Sequence, residues 1–110
     1  MSSLSINEWR DKIHQLAVEK GFWEGERNFS EILCLIHSEI SEALEEKRSN
    51  NSPFYFAGVP DKPEGWGVEV IDALIRILDL CGAFKIDVEN VLNAKHEYNK
   101  TRPHKHGREF

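Results

Sequence analysis

A chain of 110 residues has room for one hydrophobic core and not for two, and 40% hydrophobic with 30% charged residues describes a globular domain rather than a disordered one. The formal net charge of −5 excludes a surface built to grip a nucleic-acid polymer, which needs a positive field over the phosphates. No segment has the length and apolarity of a membrane span, and the opening MSSLSINEWR lacks a basic start followed by an apolar run, so a cytoplasmic protein without leader or anchor is expected.

The first helix is announced by Ser5-x-x-Glu8, a capping-box pattern, followed by apolar Ile6, Trp9, Ile13, Leu16 and Ala17, with Gly21 at its end. A second box, Asn28-x-x-Glu31, opens a helix expected to reach about Lys47, with a stripe of Phe29, Ile32, Leu33, Ile36, Ile40, Ala43 and Leu44. From Ser49 to Pro63 the turn formers Asn50, Asn51, Pro53, Gly58 and Pro60 read as a long connection, despite the aromatic run Phe54, Tyr55, Phe56. The third helix begins near Pro63 or Gly65. Its apolar residues, from Val68 to Cys81, fill well over half its circumference, so it is expected to be central and packed on several sides; Glu69, Asp72, Arg76 and Asp79 form its narrow polar strip. The fourth helix has Asp87 as cap and must stop before Pro103. The expected fold is all-α, with four helices. Cys34 and Cys81 lack CxxC spacing and read as reduced core residues, which argues against zinc.

Two acidic pairs sit at helical spacing: Glu39-x-x-Glu42 on the second helix and Glu69-x-x-Asp72 on the third. Residues three apart share a helix face, so four carboxylates from two helices can converge on a hard cation, and Mg²⁺ favours such oxygen ligands while keeping positions for water and phosphate. The plainer reading of Glu39, Glu42 and Glu46 is a solvated acidic strip, and Arg76 stands four residues from Asp72, as in an ordinary intrahelical ion pair. A di-iron bundle wants Glu-x-x-His, and only Asp11-x-x-His14 has an acid at that spacing. His96, His104 and His106 could bind a metal, but His104 and His106 sit in a basic tail after Pro103, where exposed histidine is the commoner outcome. A GxxxxGK loop and a nucleophile elbow are both missing.

The order, spacing and apolar context of the motifs in HSEISEALEE and GVEVIDALIRILDL, with the ending KHEYNKTRPHKHG, resemble the MazG-like all-α nucleoside triphosphate pyrophosphohydrolases. The likeness runs from about Arg27-Asn28 to the tail. It implies a four-helix bundle that assembles as a homodimer or homotetramer, and hydrolysis of a nucleoside triphosphate between its α and β phosphates to a monophosphate and pyrophosphate. It further implies Mg²⁺, with Mn²⁺ as a substitute, held by Glu39, Glu42, Glu69 and Asp72, and Glu39 or Glu42 as general base. Lys95, Asn99 and Arg102, spaced by four and then three, share one helix face and are expected to meet the phosphates or sugar. Trp23, Asn28 and Trp66 are candidates for contacting the base. Two departures stand out: a connection rich in Pro, Gly and aromatics, which leaves nucleotide preference open, and His37 where some members carry another acid. The competing class is a noncatalytic helical interaction module whose acids bind a structural divalent cation.

Overall fold

A computed structural model describes residues 3–109. Four helices form where the caps ask for them: α1 (Ile6–Glu19), α2 (Phe29–Arg48), α3 (Trp66–Ala83) and α4 (Val88–Lys100). At the start of α1, Ser5 Oγ accepts from the Glu8 amide at 3.1 Å and Glu8 Oε1 accepts from the Ser5 amide at 2.9 Å, a reciprocal capping box. Asn28 Oδ1 accepts from the Glu31 amide and Asp87 Oδ1 from the Asn90 amide, capping α2 and α4. Gly21 follows α1 with φ of 86°, a left-handed position that suits glycine.

The segment expected to be a plain connection instead contains a two-stranded antiparallel ribbon, β1 (Tyr55–Ala57) and β2 (Lys62–Glu64), paired Tyr55 with Glu64, Phe56 with Pro63 and Ala57 with Lys62. Three-residue strands are too short to show alternation, and Pro63 argues against a strand. In a two-stranded ribbon every strand is an edge, so the missing proline N–H is tolerated. The ribbon sets the start of α3. Gly67 donates its amide to Pro53 O at 2.9 Å, and a Cβ on Gly65, at φ of 124°, would fall 2.5 Å from the same oxygen.

The centre of the fold is α3, which packs against α1 and α2. Small residues allow the close approach: Ala43 and Ala73 are buried with Ile32 and Leu78, and a Cβ on Gly82 would meet His14 Cβ at 2.6 Å. Within one chain α3 is packed on two sides, by α1 and α2, while Val70, Ile71, Leu74, Ile75 and Ile77 remain 40–50% exposed. The cause is the placement of α4, whose N-terminus is pinned to α1 by Asn7 and Arg10. Asn7 Oδ1 accepts from the Val88 amide at 2.9 Å, and Arg10 Nη1 donates to Ile86 O at 2.7 Å. Among the described residues α4 has its substantial contacts with α1 alone and leaves the outer face of α3 open. The accessible surface is accordingly 8804 Å², about 2,600 Å² above that of a typical folded monomer of this mass. The radius of gyration is 16.6 Å, against about 13 Å for a compact chain of this length. Cys81 is half-buried, whereas Cys34, expected in the core, is exposed, because it lies across α2 from Ile32. Among the described residues no helix is long and apolar enough to cross a membrane.

Candidate metal centre and adjoining cavity

Carboxylates from two helices meet where α2 crosses the first half of α3. Glu39, Glu69 and Asp72 each offer one oxygen, and these atoms lie within 4.8 Å of one another. Glu39 belongs to the buried face of α2, seven residues after Ile32 and four before Ala43, and is itself only 8% exposed. Glu69 and Asp72 flank the buried side of α3 one turn apart, beside Ala73. Glu42 stands exposed at the edge of the cluster, and its charge is among those that act on Glu69.

Crowding like charges at a half-buried site shifts their proton affinities in opposite directions. Burial, then proton sharing with Glu39 and Glu42, then the charges of Glu42 and Asp72 push the Glu69 carboxyl up to about 7. Burial and the charge of Glu39 raise Asp72, although Arg76 and Lys62 of β2 oppose the rise. Burial also works to raise Glu39, but hydrogen bonds with Arg76, Glu69 and Glu42 outweigh it and hold the carboxyl below its ordinary value. Arg76 does not make the ordinary intrahelical pair with Asp72 that the plainer reading allowed. Its Nε donates instead to Glu39 Oε1 at 2.9 Å, across to α2, because Glu39 is the most buried carboxylate of the cluster and most needs a cation.

A cavity of about 820 Å³ opens beside the cluster between α1 and α3. Glu39, Asp72, Arg76, Arg27 and Asp79 supply polar groups, while Leu16 and Ile75 belong to its apolar wall. Asp79 ties the connection between α1 and α2 to α3. It accepts from Trp23 Nε1 at 2.9 Å, lies 2.8 Å from His14 Nδ1, and has Arg27 Nη1 at 3.8 Å.

Trp23 directs its N–H to Asp79, has the Arg27 guanidinium 4.5 Å from its ring centre and does not line the cavity. Asn28 is the cap of α2, and Trp66 lies under Lys47 at 5.6 Å. α4 ends at Lys100, so Arg102 lies two residues past it and not on a continuing helix as expected; Lys95 and Arg102 nevertheless both sit against the Tyr98 ring, at 5.0 and 5.8 Å, and the Oδ1 atom of Asn99 is buried without a hydrogen-bond partner among the described residues. This basic face does not line the cavity within the same chain. His104 and His106 lie exposed in a short turn after Pro103. Sequence reasoning missed the cross-helix role of Arg76 and the parts of Arg27, Asp79 and Lys62. The polar strip of α3 was the available signal for Arg76 and Asp79, but nothing local tells which side chain across 37 residues of separation will answer it.

The carboxylate set fits a hard divalent cation in kind, since all its donors are oxygens, they approach one another closely, and one is held ionised by an arginine. No family profile, curated protein or solved structure matches the chain.

Proposed function

We propose that the protein is a Mg²⁺-dependent nucleoside triphosphate pyrophosphohydrolase of the MazG-like kind, releasing a nucleoside monophosphate and pyrophosphate. The observation that carries this reading is the convergence of Glu39, Glu69 and Asp72 beside a cavity in the range of about 300–1,000 Å³ that suits small ligands. Glu39, Glu69 and Asp72 hold the cation, with Glu42 at the rim. Mg²⁺, or Mn²⁺ in its place, supplies charge neutralisation for the phosphates and lowers the pKa of an attacking water. Glu39 is committed to Arg76 and held at low basicity, which suits a ligand better than a base. Glu42 is exposed and free of an ion pair among the described residues, so general-base duty falls to it. Arg27 and Arg76 counter the repulsion that an acidic chain offers to a polyphosphate.

The working unit is a homodimer or homotetramer. The surplus of about 2,600 Å² per chain, about 5,200 Å² for a pair, is of the size that obligate interfaces bury, and apolar residues such as Ile71 on α3 and Leu92 on α4 stay half exposed. A partner copy seated there brings Lys95, Asn99 and Arg102 to a site that a single chain leaves without them. The breadth of apolar surface also favours the second reading, a helical interaction module with a structural cation. Incubation with a panel of standard and modified nucleoside triphosphates and Mg²⁺, with chromatography of the products, separates the two. Monophosphate with pyrophosphate is the expected outcome; orthophosphate with a diphosphate places cleavage at the wrong bond, and no turnover leaves the module.

A further inference from the structure

Arg76 is held at one end only. Its Nε donates to Glu39 Oε1 at 2.9 Å, and among the described residues nothing accepts a hydrogen bond from Nη1 or Nη2. A guanidinium carries its donors in a rigid fork, so the two terminal nitrogens keep their N–H groups for solvent or ligand. The same side chain lines the 820 Å³ cavity, where Arg27 also stands, its Nη1 3.8 Å from Asp79 and its guanidinium against the Trp23 ring. Neutralising buried Glu39 requires only a positive charge, which a lysine also supplies. An arginine tied through Nε with its outer edge free at a cavity has a second capacity, the two-point grip on an oxyanion.

The geometry points to Arg76 as the residue that joins the two halves of the site. Through Nε it orients Glu39 toward the cation, and through its free terminal nitrogens it binds a phosphate oxygen of the substrate in the cavity. This inference rests on the proposed function and adds a phosphate contact on α3, on the same helix as Glu69 and Asp72. The order of binding follows from charge. Glu39, Glu42, Glu69 and Asp72 repel an anion from the neighbourhood of Arg76 until a cation neutralises them, so the arginine contact forms after the cation is in place.

Two equilibria test it on the full chain: Mn²⁺ binding followed by electron paramagnetic resonance, and inorganic pyrophosphate binding followed by calorimetry at saturating Mn²⁺. Arg76→Lys restores the charge beside Glu39 but not the fork, and Arg76→Gln keeps a donor but not the charge. Arg76→Lys, which keeps a positive charge beside Glu39, is expected to keep Mn²⁺ affinity within about threefold while pyrophosphate affinity falls about tenfold or more, and Arg76→Gln, which leaves Glu39 without that charge, is expected to lower both. Circular dichroism identifies a variant that has lost its fold, in which case the other decides. Pyrophosphate affinity unchanged in the folded variants overturns the contact. A parallel fall in both affinities in Arg76→Lys also overturns it, because Arg76 then only props Glu39. If the unsubstituted protein binds Mn²⁺ but no pyrophosphate, this inference alone falls; if it binds no Mn²⁺, the proposed function falls with it.

Discussion

Glu69 should set the pH at which the acidic cluster accepts a cation. Its carboxyl is pushed up to about 7, first by burial and then by proton sharing with Glu39 and Glu42, so near neutrality it is divided between protonated and ionised forms. A cation ligated by Glu69 must displace that proton. Between pH 6 and pH 8 the ionised fraction of a group titrating near 7 rises from about one tenth to about nine tenths, so apparent Mn²⁺ affinity should rise about tenfold over this window. Asp72, raised mainly by burial, steepens the fall on the acid side. The charges that face Glu69 are Glu39 and Glu42 from α2 and Asp72 from its own helix, with Arg76 and Lys62 of β2 acting through Asp72. The stability of the cation-free protein should move the other way. Folded Glu69 binds its proton more tightly than the unfolded chain, whose value is near 4.5, so stability is lost as pH rises from there through about 7. Glu39 has the opposite sign, but its contribution is lost only as pH falls through its lowered folded value, outside this window. Paramagnetic resonance titrations at pH 6, 7 and 8, with thermal melts with and without Mn²⁺, measure both effects. Affinity that is flat across the window, or a cation-free melting temperature that climbs from pH 5 to 8, would refute the account of Glu69.

Glu69→Gln and Asp72→Asn should abolish turnover and weaken Mn²⁺ binding while circular dichroism shows the helices intact, and Glu69→Gln should raise the cation-free melting temperature at pH 8, where the native carboxylate is disfavoured. Unchanged turnover in both returns these acids to a solvated face. Lys95→Ala and Asn99→Ala should each cost about 1.5–3 kcal/mol in kcat/KM, the value of a charge-assisted contact, whereas Lys100→Ala, whose amine pairs with Glu97 at 3.2 Å on the surface, should cost little. Equal losses in steady-state kinetics would reduce the tail to bulk charge. Ile71→Glu on the open face of α3 should convert the assembly to a monomer in sedimentation velocity; an unsubstituted protein that already sediments as a monomer overturns the assembly. Gly82→Ala should lower stability by about 1–3 kcal/mol through overpacking, since its Cβ would meet His14 Cβ at 2.6 Å, and a chemical-denaturation midpoint at or above the parent's would show that α1 and α3 do not touch there.

What was legible in the sequence follows the range of the interactions involved. Ser5, Asn28 and Asp87 act within three residues of themselves, and each caps the helix it announces. The acidic motifs were legible for the same reason, because a spacing of three puts two side chains on one face whatever that face later meets. The ribbon was hidden because its pairing, Phe56 with Pro63, depends on a register that three-residue strands and a proline do not advertise. Arg76 illustrates the same limit at the site itself. On α3 alone Asp72, four residues from Arg76, is a ready partner, yet the bond goes to Glu39, since a carboxylate only 8% exposed gains more from a guanidinium than one nearer water. That choice depends on relative burial, which exists only once α2 and α3 have docked. The apolar circumference of α3 was legible too, but whether it is filled by α4 or left open depends on where α4 goes. Asn7 and Arg10 settle that from the far end of the chain, clamping Val88 and Ile86 to α1 and leaving Val70, Ile71, Leu74 and Ile77 of α3 half in water. A face so apolar and so exposed on a chain with only four buried hydrophobic residues among those described is the strongest physical reason to look for the rest of the site on a second copy.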